Sequence, residues 1–206
     1  MNATAGSPGL SNRMAHSFLE SAAREVGADT LSTILADNHL SPGLLDGDTH
    51  TGFNGGQAAG DYAALQQALR KSYGHGARGI LLRVGVDMWD RMTSQAGFLE
   101  KTELEIARRL PVPARRRRML EMVAGLLQAG GSSASVHTLD LDLLLVDRSA
   151  AATVHQTSNE PICFVTLGLI QGALVWATGQ EVDVEEIACK AAGAPACEFK
   201  IKLGGK

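Results

Sequence analysis

The hydrophobic positions of this chain change period about two-thirds of the way along. Ahead of Gly130 the apolar residues recur at three- and four-residue intervals, the repeat of one helix face. Met14, Phe18, Ala22 and Val26 mark a first helix that Ser11 or Asn12 can cap and Gly27 can end. A short second helix fits Thr30–Ala36. Ala64, Leu65, Ala68 and Leu69 predict a third, capped by Asp61 and closed by Gly74 and Gly76. Ile80, Leu81, Val84, Met88 and Met92 belong to a longer helix over Ala77–Thr93. An amphipathic stretch follows over Glu100–Leu110, and a further helix runs from Ala114 to Ala129, after Pro111 and Pro113. Between the second and third helices, Asn38–Gly60 is rich in Gly, Asp, Asn and Thr and reads as a long surface connection.

Beyond Gly131 the pattern alternates. Val136, Thr138, Asp140 and Asp142 interleave with His137, Leu139, Leu141 and Leu143, the two-residue period of a half-buried strand, and the apolar run Leu143–Val146 extends it. Residues 147–160 form a polar turn region. Cys163–Thr178 is an unusually apolar helix closed by Gly179. Two more strands fit Glu181–Ala188 and Ala196–Leu203, with Gly193 and Pro195 turning between them. The fold class is therefore α+β, with a helical N-terminal part packed on a small antiparallel sheet. Residues 1–11, small and polar, are expected to be a flexible leader, and residues 12–206 a single domain.

Composition narrows the function classes. The chain has 206 residues, 45% of them apolar and 20% charged, so it can bury a substantial core. Its formal charge of -3 gives no electrostatic argument for nucleic acid or an anionic membrane. No apolar stretch approaches the ~20 residues of a membrane span. Met1–Ser11 has neither the basic start nor the apolar run of a signal peptide. A cytoplasmic, reducing setting is the expectation, and there three cysteines form no disulfide framework.

Those three cysteines carry the most chemical content. Glu186, Cys189 and Cys197 follow Cys163 by 23, 26 and 34 residues. Short C-x-x-C knuckles are absent, so spacing alone leaves plain burial open beside metal binding. The predicted elements favour the metal: Glu186 and Cys189 approach the hairpin turn, Cys197 begins the return strand, and Cys163 begins the helix. Three thiolates and a carboxylate suit a tetrahedral divalent cation such as zinc. With four protein ligands the site would have no open position and would be structural.

Other motifs are weaker. Trp89, Phe98, Trp176, Met88, Met92, Met119, Met122 and Val123 could line a cavity, and with only nine aromatic residues the pliable methionines must fill much of the interior. Strand alternation places His137 with Leu139, where it could offer a hydrogen bond to an otherwise apolar ligand. Arg115–Arg118 is the one charge run and reads as a solvated face. No H-E-x-x-H, P-loop, nucleophile elbow or dinucleotide fingerprint is present, and the T-G-F-N-G-G loop that leads into Gly52–Gly60 from Thr51 precedes no convincing βα unit.

The segment CFVTLGLIQGALVWATGQEVDVEEIACKAAGAPACEFKI, Cys163–Ile201, resembles the 4-vinyl reductase domain. It shows the helix with paired glycines, the G-x-E-V-x-V-E-E strand, the E-x-x-C turn and A-x-G-x-P-x-C-x-F. S-N-R-M near the start, the Ala63–Tyr73 helix and the Gly76–Trp89 stretch resemble its longer members more loosely, so residues 163–203 are the specific part. The resemblance implies a small-molecule-binding module whose aromatic-sensing relatives hold zinc through three cysteines and a glutamate, at places that correspond to Cys163, Glu186, Cys189 and Cys197. It also implies a twisted sheet with helices on one side, a buried apolar channel, homodimers and a fold akin to subunits of the TRAPP trafficking complex.

The expectation that follows is a sensor or carrier for a hydrophobic small molecule, stapled by a structural zinc, with Trp89, Met88, Met92, Met122, His137, Leu139 and Trp176 around the ligand. A reductase needs a hydride or electron carrier, and the sequence offers no place to dock one, so catalysis is not expected. Two alternatives remain: a vinyl reductase or pigment-precursor carrier of bacteriochlorophyll metabolism, and a dimeric protein-interaction scaffold.

Overall fold

A computed structural model of the chain describes residues 9–41, 44, 57–128 and 133–203. Among these residues six α-helices precede the sheet: α1 (Asn12–Val26), α2 (Ala28–Asp37), α3 (Ala58–Tyr73), α4 (Ala77–Ser94), α5 (Phe98–Arg108) and α6 (Val112–Gln128). Strands β1 (Ala134–Leu139) and β2 (Asp142–Asp147) follow, then helix α7 (Phe164–Thr178), then β3 (Asp183–Ala188) and β4 (Cys197–Lys202). The strands form one antiparallel sheet in the order β1-β2-β4-β3. This is the expected α+β arrangement. Residues 1–8 of the leader and most of the Asn38–Gly60 connection lie outside the described residues.

Helix boundaries follow local chemistry. The Ser11 hydroxyl accepts a hydrogen bond from the Met14 amide at 3.3 Å, and Gly27, at φ 89°, stops α1 in a conformation that costs a glycine little. Helix α3 begins at Ala58, not at a cap on Asp61. Ala58 and Ala59 are good helix formers and are buried, so packing extends the helix back by a turn and leaves Asp61 where an acid suits the helix dipole. Likewise α6 starts ahead of Pro113, because a proline in the first turn sacrifices no intrahelical bond.

The expected single strand over Val136–Val146 is instead a hairpin. Asp140 takes φ 51°, Leu139 pairs with Asp142, and β2 runs back along β1. Two-residue hairpin loops favour positive φ, which Asp tolerates better than most residues. The reversal separates the alternating leucines. Leu143 and Leu145 enter the core, whereas Leu139 and Leu141 are 42% and 77% exposed.

The centre of the molecule is the crossing of α4 and α7. A methyl group on Gly85 would lie 2.2 Å from the Val165 carbonyl oxygen, and one on Gly168 would lie 2.1 Å from that of Leu82. The two backbones therefore touch, and only glycine fits there. Helix α7 is apolar all round, as a helix enclosed by protein must be. It packs on α4, α6 and β3, and its N-terminal end meets the β3–β4 hairpin. The sheet turns Leu145, Phe199, Ile201 and Val184 inward to complete the same core.

Candidate functional site

Cys163 is the N-cap residue of α7, Glu186 lies on β3, Cys189 follows β3 directly, and Cys197 opens β4. Strand parity alone would not bring the last three together. Glu186 pairs with Phe199 and Ala188 with Glu198, so Ile187 is an extra residue in the ladder. That bulge shifts the alternation by one, and Cys189 joins Glu186 on the inner face instead of pointing outward. Gly193, at φ 92°, then lets the chain turn tightly enough for the Ala192 and Ala194 amides to donate to the Cys189 carbonyl, at 3.0 and 3.1 Å.

The four side chains converge. The Cys163 Sγ lies 3.4 Å from that of Cys197 and 3.9 Å from that of Cys189, and the Cys189 and Cys197 sulfurs are 3.9 Å apart. All four donor atoms fall within 4.8 Å of one another, and all four residues are buried. Thiolates bound tetrahedrally to zinc at about 2.3 Å stand about 3.8 Å apart, so the sulfur triangle already has the right size. Glu186 Oε2 accepts the Cys163 amide at 2.8 Å, while Oε1 is buried with no hydrogen-bond partner among the described residues. The Lys190 amide donates to the Cys197 Sγ at 3.3 Å.

The electrostatics of the cluster without a cation are unfavourable to charge. Hydrogen bonding to the neighbouring sulfurs, together with burial, pushes the Cys163 thiol well above its ordinary range. Burial and the adjacent Cys189 push the Glu186 carboxyl up to about 8. Cys189 is driven the other way, because Cys163 and Cys197 donate to its sulfur and stabilise a single thiolate. All four donors could ionise in this space only with a cation among them. The sulfur spacing, the unpaired Glu186 oxygen and the donor set together fit a divalent metal. With all four positions taken by protein, such an ion would cross-link α7 to the β3–β4 hairpin and leave no site for substrate.

The residues expected around a ligand are divided. Trp89, Met92 and Met122 line a cavity of about 300 Å³ between α4, α5 and α6, together with Ala96, Leu104 and Leu126. Ion pairs stand at its edge: Arg13 with Glu100, and Arg118 with Glu103 at 3.6 Å. The Trp89 indole N–H is buried and has no hydrogen-bond partner among the described residues. Trp176 lines a different cavity, of about 470 Å³, beside Val86 and Val175. Its ring meets Trp89 edge-on at 6.2 Å and carries the Arg108 guanidinium 3.8 Å from its centre. Met88 is fully buried and lines neither of these two cavities.

His137 and Leu139 do not join them. The hairpin turns both outward, and His137 Nε2 hydrogen-bonds the Ser135 hydroxyl at 2.9 Å instead. Phe98 is also displaced from the cavity, standing 84% exposed at the start of α5. The arginine run is not simply a solvated face. Arg115 donates to the Leu110 carbonyl at 2.9 Å and to that of Ala177 at 3.0 Å, binding the ends of α5 and α7 together. Arg117 pairs with Glu121 at 3.0 Å and donates to the Thr138 hydroxyl. A cleft of about 900 Å³ between the α3–α4 junction and β3, lined in part by Arg70, His75 and Arg78, has no counterpart among the sequence expectations. Basic residues near helix ends are too common to signal it.

Residues 145–203 match the family model of the 4-vinyl reductase domain. That match contains nearly all of the sheet from β2 onward, α7 and all four residues of the cluster, and agrees with the resemblance carried by Cys163–Ile201. Among curated proteins, none matches the chain. Several solved structures share its fold. An H-NOX protein from S. oneidensis in the Fe(II)NO ligation state superposes with a TM-score of 0.59 at 13% identity, over 95% of this chain and 100% of that one. An oxygen-binding H-NOX domain related to soluble guanylate cyclases gives 0.54 at 14% identity, over 92% and 93%. The phenol-responsive sensory domain of the transcription activator PoxR, with phenol, gives 0.52 at 17% identity, over 69% and 73%. At these identities the likeness is one of fold, so a segment that matches the 4-vinyl reductase family model lies within a chain whose fold is like that of H-NOX proteins. None of these three is a trafficking-complex subunit.

Proposed function

We propose that this chain is a small-molecule-binding domain, a sensor or carrier, that takes an apolar ligand of about one ring into the cavity between α4, α5 and α6. The observation that carries the reading is the lining of that cavity: Trp89, Met92, Met122, Leu104 and Leu126 give it an apolar part beside the charged residues at its edge, and the Trp89 indole N–H has no partner among the described residues. An orphaned buried donor costs about 1–3 kcal/mol. A ligand with one hydrogen-bond acceptor on an apolar body would relieve that cost. The PoxR domain, which shares the fold, is described with phenol, and phenol is therefore the probe of choice here.

Zinc is the ion we assign to Cys163, Glu186, Cys189 and Cys197, in a structural role. Three buried free thiols suit a reducing compartment such as the cytoplasm. No helix among the described residues is long and apolar enough to cross a membrane. A homodimer is part of the proposal, supported by the exposed Phe98, Leu99 and Ile106 of α5.

Native mass spectrometry of freshly purified protein tests the whole reading at once, through bound metal, oligomer mass and any co-purified organic guest. One zinc per chain and a small apolar guest are expected. A tetrapyrrole mass would favour the pigment alternative. Phenol should also change the fluorescence of Trp89, and Gly125→Leu, which fills the cavity from α6, should abolish the change. Phenol binding that survives Gly125→Leu would place the ligand elsewhere.

A further inference from the structure

The 900 Å³ cleft contrasts with the apolar cavity in both size and chemistry: it is large and its walls are charged. The carboxylates on the β3 wall are mostly satisfied. Asp183 and Glu185 share Lys202, at 3.2 and 2.8 Å, and Glu186 belongs to the metal cluster. Glu160 is the one lining carboxylate that does neither.

The helical wall is different. Arg70 and Arg78 are in no ion pair with any carboxylate of the described residues. Arg70 spends Nη2 on the Gln156 side chain at 3.1 Å, and its Nη1 is buried with no hydrogen-bond partner among the described residues. Arg78 stands over the Phe164 ring, 5.8 Å from its centre. His75, in the turn between α3 and α4, adds a ring nitrogen to the same wall. Between the two walls, Phe164, Leu167 and Val184 supply apolar surface.

We infer that this cleft is a second binding site, for an organic anion whose carboxylate engages Arg70 and Arg78 and whose apolar body lies on Phe164 and Leu167. A guanidinium presents paired donors that match a carboxylate, and such charge-assisted bonds are about twice as strong as neutral ones. The volume is within the range of sites that enclose drug-sized ligands. The inference stands apart from the phenol-sized cavity, which is bounded by α5 and α6 and shares no lining residue with the cleft.

Titration of the intact, metal-bearing protein with decanoate and with decan-1-ol, followed by backbone amide shifts, tests it. Decanoate should bind with shifts at residues 74–78 and 183–186, and decan-1-ol more than about tenfold more weakly, since it carries no charge for either arginine. Arg78 is exposed, so Arg78→Gln should fold normally, weaken decanoate about tenfold and leave decan-1-ol unchanged. Gly125→Leu should leave decanoate affinity intact, which separates this site from the phenol cavity. Equal affinity for acid and alcohol, an unaltered Arg78→Gln titration, or loss of decanoate binding in Gly125→Leu would each overturn the assignment.

Discussion

The two ends of α7 and its surroundings differ in how tightly the chain is specified. At its N-terminal end, four donor atoms from three elements sit within 4.8 Å, and the glycines of α4 and α7 hold two backbones in contact nearby. Toward its C-terminal end, α5 buries little more than Leu104 and Ala107, and cavities open around Trp89 and Trp176. The donor cluster and the α4–α7 contact leave no room for added volume. The other region has space to give. A binding domain gains from that division, because a rigid frame keeps the cavity walls in place while the weakly packed helix can adjust to a guest.

The largest effects should come from the rigid region. Cys189→Ala should abolish stoichiometric metal and lower the melting temperature by about 10 °C or more, since losing one ligand of a closed site uncouples the hairpin from α7. Unchanged metal content and melting temperature in that variant would show that the cluster is no more rigidly specified than the cavity region. Stripping the metal with a chelator should also change how stability responds to pH. In the metal-free protein the Glu186 carboxyl titrates at about 8 rather than near 4.5, so the folded state holds a proton that the unfolded state has lost. Stability should then fall as pH rises through that window. With metal bound the proton is displaced, and stability should instead fall on acidification, as the ligands reprotonate. Denaturant midpoints measured between those two titration points, with and without metal, would reveal the reversal.

Next in size is a pair of glycine substitutions. Gly168→Ala must force α4 and α7 apart and should cost about 3 kcal/mol. Gly125→Ala, whose new methyl group would meet no atom within 4 Å, should be neutral or stabilising by up to about 1 kcal/mol. Similar costs at both positions, read from urea unfolding, would erase the distinction between the packed and the open region. The smallest effect is expected at the cavity edge. Arg13 and Glu100 are 35% and 48% exposed, so Arg13→Ala should cost no more than about 1 kcal/mol and should loosen α5, seen as faster amide exchange there.

Much of this molecule is written locally. The helix periods, the Ser11 cap, the stops at Gly27, Gly74 and Gly179 and the strand alternation of β3 all follow from residues within a few positions of one another. The convergence of Cys163, Glu186, Cys189 and Cys197 was legible from their predicted places at a helix start and a hairpin, and from the resemblance of that segment to the 4-vinyl reductase domain. The His137–Leu139 expectation failed because alternation does not tell one long strand from two strands joined by a two-residue turn. The positive φ of Asp140 made that difference.

The elements and the donor set could thus be read from the order of residues, because propensity, capping and thiolate chemistry act at short range. Where the space lies could not, since it depends on how distant segments meet. The Ile187 bulge that turns Cys189 inward, the close approach of α4 and α7 at Gly85 and Gly168, and the unpaired donors of Trp89 and Arg70 all arise from that meeting. A cavity is what packing leaves over, and no residue carries it alone.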